Sequence, residues 1–534
     1  MSEYIRTSYI AGISSSKHPA RQLRMILFRW NIPAVVCRLL RRKYSIIEIA
    51  LVLCLVVLAW GSGSDLPDTQ AVKSDARAYA TLAVNLWRHG VFSSDEADTV
   101  SPMPTQYREP AYPAFLALVI ATHRELRNKP MENFLSAGKD IRSLKRSGLL
   151  LFVLLPVLIY VLVRKAGGSR AAALSAGLLV IMDRGSQNLL ATTLSEHLTM
   201  VAMAAVSLSL MGLVRRPGTG CAALGGLALA VLVLTKTVFQ LFLPVALLWV
   251  WWNGRGLTVS RRWIAVAVFA GAFALPVGAW KLRNVAHFGN ASLVSGRSGV
   301  VLMARALSDT MTPEERRAAW IYWMPEGKLR NRCARSAFGN RFEEATRRLD
   351  RRCPESFYRR ARIERQTLLE EMGAGPRVHH EMDRRLTRYA LNIIQQHAGA
   401  HLALTPAFAW RCLFSTRGLR LLWPFTWKWE APLRWTMLWA GGLLIGTVMS
   451  FLRRDICVLA LTLPSLFLLG SHAFLTHCVP RYGLGMVPFG IGALALVGDA
   501  TTRRLAKRYK RWKDQNPLRR EIREETHHPD SLPE

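Results

Sequence analysis

Acidic residues are scarce in this chain. Its 534 residues hold 36 Asp and Glu against 71 Lys and Arg, a formal net charge of +35. Such a balance suits nucleic acid or an anionic membrane surface. Hydrophobic residues make up 51% of the chain, and the basic residues fall between apolar runs. That placement sets nucleic acid aside in favour of lipid head groups or phosphate-bearing substrates. Cysteine is also sparse and scattered. Cys54, Cys221 and Cys457 lie in or beside apolar runs, where cysteine behaves as a small hydrophobe. Cys333 and Cys353 share one long loop, and their spacing leaves open whether they pair. His197, His472 and His477 lack a metal-ligand spacing. Internal repeats and low-complexity tracts are missing, which counts against a repeat-built transporter.

What the chain does have is long apolar runs. A bilayer crossing takes roughly 20 apolar residues, and flanking Lys and Arg mark the cytosolic ends. On that basis residues 46–60, 149–163, 171–182, 190–214, 222–234, 238–252, 263–280, 435–452, 456–469 and 482–497 read as ten spans with both chain ends inside. A further element is expected near 401–414, and 111–121 is expected to dip into the bilayer. The fold class is therefore an all-α polytopic membrane protein of about ten to twelve spans. It divides into a basic cytosolic segment (1–45), a transmembrane bundle (46–280) with a first outer loop (61–110), an outer region (281–432), C-terminal spans (433–499) and a basic cytosolic tail (500–534). The outer region reads as a small, mostly helical domain. Thr312-Pro313-Glu314-Glu315 is a capping box with Pro at the first helical position, and 384–396 has helical spacing. The tail after Arg511 is charged and reads as disordered.

The polar residues of the apolar half fall on one side of this topology. Asp75, Arg108 and Glu109 follow the first span. Glu196 is expected about two turns into the bilayer from the outer face, Lys236 at an outer hairpin, and Arg283 and Asn284 after the outer end of a span. Pro480-Arg481-Tyr482 opens the last span. Charges at membrane depth are costly and mark function by default. Carboxylates can take a proton from an acceptor or bind a divalent cation. Arg and Lys can hold a phosphate and stabilise it as a leaving group.

The chain resembles the polytopic glycosyltransferases of the GT-C fold that use polyprenyl-phosphate sugars. Protein O-mannosyltransferases and bacterial transferases that decorate lipid A are among them. The resemblance rests on Asp75-x3-Tyr79 with its following helix, and on Tyr107-Arg108-Glu109-Pro110-Ala111-Tyr112-Pro113. Ser195-Glu196, Leu234-Thr235-Lys236, Trp280-x2-Arg283-Asn284 and Pro480-Arg481-Tyr482 carry the rest. It implies an extracytoplasmic active site in a multi-pass protein of the inner (plasma) membrane. Asp75 would be the catalytic base, and Lys236, Arg283 and Arg481 would bind the donor phosphate. Tyr79, Arg108, Glu109, Tyr112, Glu196, Asn284 and Tyr482 would be further site residues. The partners would be a polyprenyl-phosphate-linked sugar, membrane lipids and a glycolipid, polysaccharide or protein acceptor. Many relatives carry two acids in the first loop, whereas Ala76 follows Asp75 here, so a divalent cation stays an open question. The segment 122–146 is longer and more charged than the resemblance leads one to expect. The competing readings are a transporter or flippase of a lipid-linked or anionic substrate, and a membrane scaffold that has lost its chemistry.

Overall fold

The structure is a computed structural model that describes residues 46–64, 75–96, 99, 101–127, 142–373, 378–414, 418–421, 427–429 and 431–515. The segment 1–45, expected to be cytosolic, part of 122–146 and the tail beyond Gln515 lie outside these residues.

Each of the ten expected spans contains a helix. The helices are α1 (Ile46–Ser64), α2 (Asp75–His89), α3 (Ala111–Thr122), α4 (Arg142–Lys165), α5 (Arg170–Met182), α6 (Glu196–Arg215), α7 (Thr219–Thr235), α8 (Leu243–Asn253) and α9 (Val259–Phe288). They continue with α10 (Ser298–Leu307), α11 (Pro313–Tyr322), α12 (Lys328–Phe338), α13 (Phe357–Met372), α14 (Val378–Gln396), α15 (Ala398–Leu413), α16 (Pro432–Arg453), α17 (Ile456–Leu475) and α18 (Val487–Gln515). Among the described residues eight helical stretches are long and apolar enough to cross a membrane, and α3, α5 and α7 are shorter apolar helices. The chain is a multi-pass membrane protein. Its lipid-compatible surface carries exposed leucines such as Leu53, Leu224, Leu248 and Leu275.

Small residues let the helices approach. A Cβ on Gly226 of α7 would collide with the Phe269 carbonyl of α9, the close packing that small residues permit where lipid supplies no hydrophobic drive. The hydrophobic cluster at the centre joins α4, α5, α6, α7, α17 and α18 through residues such as Phe152, Val180, Met203, Leu229, Leu461 and Phe489, each essentially sealed from solvent.

Three boundaries differ from the expectations. Helix α6 begins at Glu196, after a polar stretch in which residues 192–195 are irregular. Glu196 therefore sits at a helix N-terminus rather than two turns inside a span, where its charge meets the positive end of the helix dipole. Helix α9 runs past 280 to Phe288 and stops where Gly289 turns left-handed with φ 69°, a conformation glycine adopts without penalty. In the tail, α18 continues through Arg511 to Gln515.

Residues between α9 and α16 form α10 to α15 and a two-stranded ribbon, β1 (Leu419–Leu421) and β2 (Trp427–Trp429), paired Leu419 with Trp429. The capping box of α11 forms as expected: Glu315 N donates to Thr312 Oγ1 at 3.1 Å and Thr312 N to Glu315 Oε2 at 2.8 Å. Arg305 of α10 ties this region to the bundle. Its Nε donates to the Ala473 carbonyl of α17 (3.1 Å), its Nη1 to Asp309 Oδ1 (2.6 Å) and its Nη2 to the His401 carbonyl of α15 (2.8 Å). His401 Nδ1 in turn lies 2.7 Å from Asp309 Oδ2. Cys333 and Cys353 carry free thiols.

Candidate functional site

Helix ends and loops supply the site. Asp75 opens α2, where an acid is favoured by the helix dipole. Helix α2 buries Tyr79, Ala80, Ala83 and Val84 against α3 and Ala76 against Leu194, and leaves Arg77 exposed. Tyr79 stands one turn from Asp75. The Tyr112 ring of α3 meets it edge-on at 5.1 Å, and the Arg108 guanidinium covers it at 5.1 Å. This buried aromatic backing leaves Arg108, only 4% exposed, little choice of direction. Its Nη2 donates to Asp75 Oδ1 at 2.5 Å.

The other Asp75 oxygen is claimed from the far end of the chain. Arg481 Nη2 donates to Asp75 Oδ2 at 2.6 Å, and Arg481 Nε makes an ion pair with Glu196 Oε1 at 3.0 Å. Lys236, which ends α7, lies 3.7 Å from the same Glu196 oxygen. Arg297 adds a third guanidinium 3.7 Å from Asp75. The result is a chain of alternating charge, from Arg108 through Asp75, Arg481 and Glu196 to Lys236, drawn from five separate segments. Burial pushes the Asp75 carboxyl up, but the positive charges of Arg108 and Arg481 outweigh it and hold the group below its ordinary 3.8. Burial, and next the charge of Glu109, push the Tyr79 hydroxyl up, so it stays protonated. It lies 3.4 Å from Ser195 Oγ.

These residues line one cavity of about 790 Å³, together with Glu109 and Tyr482. Tyr482 stacks on His472 at 4.6 Å, and the Lys236 ammonium lies 5.3 Å from the Tyr482 ring centre. The remainder mixes leucines and valines, including Val238, Leu241, Val301 and Leu302, with polar side chains such as Gln240, Asn290, Ser292 and Thr387. Leu241, among these, is 51% exposed. Glu109 makes no ion pair among the described residues and is the one acid of the lining besides Asp75, Glu196 and Asp383. Asp383 is already engaged: it accepts from Gly299 N at 2.7 Å and from Ser298 Oγ, anchoring the start of α10.

Three of the expected site residues lie elsewhere. Tyr112 is buried behind Tyr79. Arg283 donates to the carbonyls of Thr105 (2.8 Å) and Phe92 (3.3 Å) and to Asn284 Oδ1 (2.9 Å), with Trp280 beneath it at 4.8 Å. Asn284 donates to the Ser292 carbonyl at 2.7 Å. Neither residue lines the cavity; both pin the loop after α2 and the turn after α9 against α9. The structure adds Arg297, Lys281 and His380 to the lining. Arg297 had a sequence signal, a basic residue framed as Ser295-Gly296-Arg297-Ser298-Gly299 just past a span. Lys281 and His380 had none. Among the described residues no group of three or more His, Cys, Asp and Glu side chains is placed to hold a metal ion.

Comparison with known proteins finds a family match over part of the chain and distant structural likenesses. Residues 86–292, less than half of the chain, match the family model for dolichyl-phosphate-mannose-protein mannosyltransferase. That stretch includes Arg108, Glu109, Glu196 and Lys236 but not Asp75 or Arg481. No curated protein matches. Among solved structures, the apo oligosaccharyltransferase of Archaeoglobus fulgidus matches at 11% identity and a TM-score of 0.44, over 91% of this chain and 53% of that one. The same organism's AglB, solved with an inhibitory peptide and a dolichol-phosphate, matches at 12% identity and a TM-score of 0.44, over 88% of this chain and 52% of that one. ArnT from Cupriavidus metallidurans bound to undecaprenyl phosphate matches at 12% identity and a TM-score of 0.30, over 84% of this chain and 77% of that one. The chain thus spans about half the length of the archaeal structures it matches.

Proposed function

We propose that this protein is a glycosyltransferase that moves a sugar from a polyprenyl-phosphate donor to an acceptor on the extracytoplasmic face of the membrane. The observation that carries the proposal is the Arg481 bridge. One guanidinium serves both Asp75 and Glu196, with Lys236 beside them, in a cavity that joins this charged cluster to an apolar wall from Val238, Leu241, Val301 and Leu302. A lipid phosphate has that same division, an anionic head on an apolar tail. The match of residues 86–292 to a dolichyl-phosphate-mannose-dependent family supports the same donor class.

The chemistry follows from the charges. The donor phosphate competes with the two carboxylates for Arg481 and Lys236. As Arg481 turns to phosphate, Asp75 loses a cation and its proton affinity rises. The Asp75 carboxylate then takes the acceptor proton while the acceptor oxygen or nitrogen attacks the anomeric carbon. The bond from that carbon to the phosphate oxygen breaks, and its electron pair leaves with the polyprenyl phosphate, held by the same cations. A direct displacement of this kind inverts the anomeric carbon. Glu109, without an ion pair among the described residues, is a further acid of the cavity and a candidate for contact with the acceptor.

The test is a transfer assay with purified full-length protein and radiolabelled polyprenyl-phosphate sugars. Transfer or donor cleavage by the wild type, lost in a folded Asp75→Asn variant, supports the assignment. Turnover that survives in Asp75→Asn and falls in Glu109→Gln moves the base to Glu109. Vectorial movement of the intact lipid-linked sugar in proteoliposomes, with no bond cleaved, would replace the transferase reading by a flippase.

A further inference from the structure

A second cavity lies beside the first and is built differently. It is small, about 20 Å³, enough for the oxygens of one compact ion or for one water. Its polar lining consists of Arg348, Arg351, Arg411, His477, Ser308 and Tyr358, with no carboxylate. The nearby acids pair with other arginines: Asp350 with the exposed Arg352 at 3.0 Å, Glu355 with Arg347 at 3.7 Å and Glu315 with the lining Arg348 at 3.1 Å. Arg351 and Arg411 are left without an acid among the described residues.

The guanidinia are held in place by flat surfaces rather than by counter-charges. Arg351 lies 4.3 Å over the Tyr358 ring and Arg411 5.0 Å over Trp323. Arg411 Nη1 donates to the His477 carbonyl at 3.0 Å, and the His477 ring packs on Tyr358 at 5.0 Å. Among the described residues Arg351 Nε and Nη2 are buried with no hydrogen-bond partner, and so is Nδ1 of His477, a side chain only 6% exposed. Buried donors without partners are costly and rare in native proteins. Burial, and next the charge of Arg351, lower the Arg411 pKa. Burial, followed by the charges of Arg351 and Arg411, holds His477 well below its ordinary range. Every one of these features is relieved by one added negative charge that accepts several hydrogen bonds.

We infer that the pocket formed by Arg351, Arg411 and His477 is a second anion site, distinct from the Asp75 cavity, that binds a phosphate-type oxyanion. Forked Arg donors match tetrahedral oxyanions geometrically. The bound group is either free inorganic phosphate or the phosphate of a lipid head group; both present the same oxygens.

The experiment uses purified full-length protein and radiolabelled orthophosphate in equilibrium dialysis, in a Lys236→Gln, Arg481→Gln background that disables the Asp75 cavity. One phosphate per chain should still bind. Adding Arg351→Gln and Arg411→Gln should weaken that binding at least tenfold. Competition by nanodiscs containing phosphatidate assigns the site to a lipid phosphate, and indifference to them assigns it to the free ion. No binding in the background variant overturns the inference, as does binding that ignores the two arginine substitutions. If the combined variant does not fold, hydrogen exchange of the wild type decides. Phosphate should slow exchange across residues 349–359, and unchanged exchange there overturns the site.

Discussion

Arg481 donates to Asp75 across 406 residues of chain, at 2.6 Å. One guanidinium thereby fixes the position of the candidate base and stands ready for the donor phosphate. Arg481→Gln should lower kcat/KM for the donor by about a hundred- to a thousandfold, the usual effect of losing one preorganised charge stabiliser. Arg481→Lys should recover only part, because an ammonium cannot serve two carboxylates through a planar fork. Steady-state kinetics on both variants, with size-exclusion profiles as the folding control, check this.

Glu196 competes with the donor for the same cations. Its Oε1 faces both Arg481 and Lys236, while its Oε2 is buried without a partner. Glu196→Gln should therefore lower the donor KM, since the phosphate no longer displaces a carboxylate. It should lower kcat too, because polyprenyl phosphate then leaves more slowly. A variant with raised KM would show that Glu196 orients the cations rather than competing for them.

The acid limb of activity follows from the lowered pKa of Asp75. A carboxyl held below 3.8 stays ionised down to that pH, and the stabilisation from its pairs is lost only as pH falls through the lowered value. The kcat/KM profile reports the free enzyme, so its Asp75 limb should lie below pH 3.8. Arg108→Gln removes the first of the charges that lower it, and the limb should move upward. A profile that stays in place in Arg108→Gln would assign the limb to another group.

How much of this was legible beforehand differs by residue. The spans were readable because twenty apolar residues between basic flanks leave few options in a bilayer. Lys236 and Arg481 were readable as polar residues at span ends, and Asp75 as an acid opening the helix that follows the first span. What joins them was not. Asp75 has no acidic neighbour in sequence, yet the fold brings Glu196 and Glu109 into the same cavity, through contacts more than thirty residues apart in the chain. The position of Glu196 was misread because hydropathy merges a polar turn at 192–195 with the helix that follows it. Arg283 was misread because a span-end arginine looks the same whether it holds a ligand or a loop.

That last ambiguity has a kinetic signature. Arg283 spends its donors on the carbonyls of Thr105 and Phe92 and on Asn284, away from the cavity. Arg283→Gln should release the segment that carries Arg108 and Glu109. The expected result is a fall in kcat and in thermal stability with the donor KM little changed. A large rise in donor KM at unchanged stability would return Arg283 to the phosphate site.

The Arg305, Asp309 and His401 network offers a stability test separate from catalysis. Arg305 and Asp309 side chains are fully buried and 2.6 Å apart, and His401 Nδ1 lies 2.7 Å from the second Asp309 oxygen. Together with the Ala473 carbonyl they join α10, α15 and α17. Removing one partner of a buried pair leaves an uncompensated charge and costs about 3–5 kcal/mol. Asp309→Asn keeps the volume and one acceptor but strands Arg305, so it should lower the unfolding midpoint markedly in a thermal melt. Arg305→Met with Asp309→Leu removes both charges and should be milder than either single change. Non-additivity of that sign, read from a double-mutant cycle, is the result that separates an interdependent buried network from independent packing contacts.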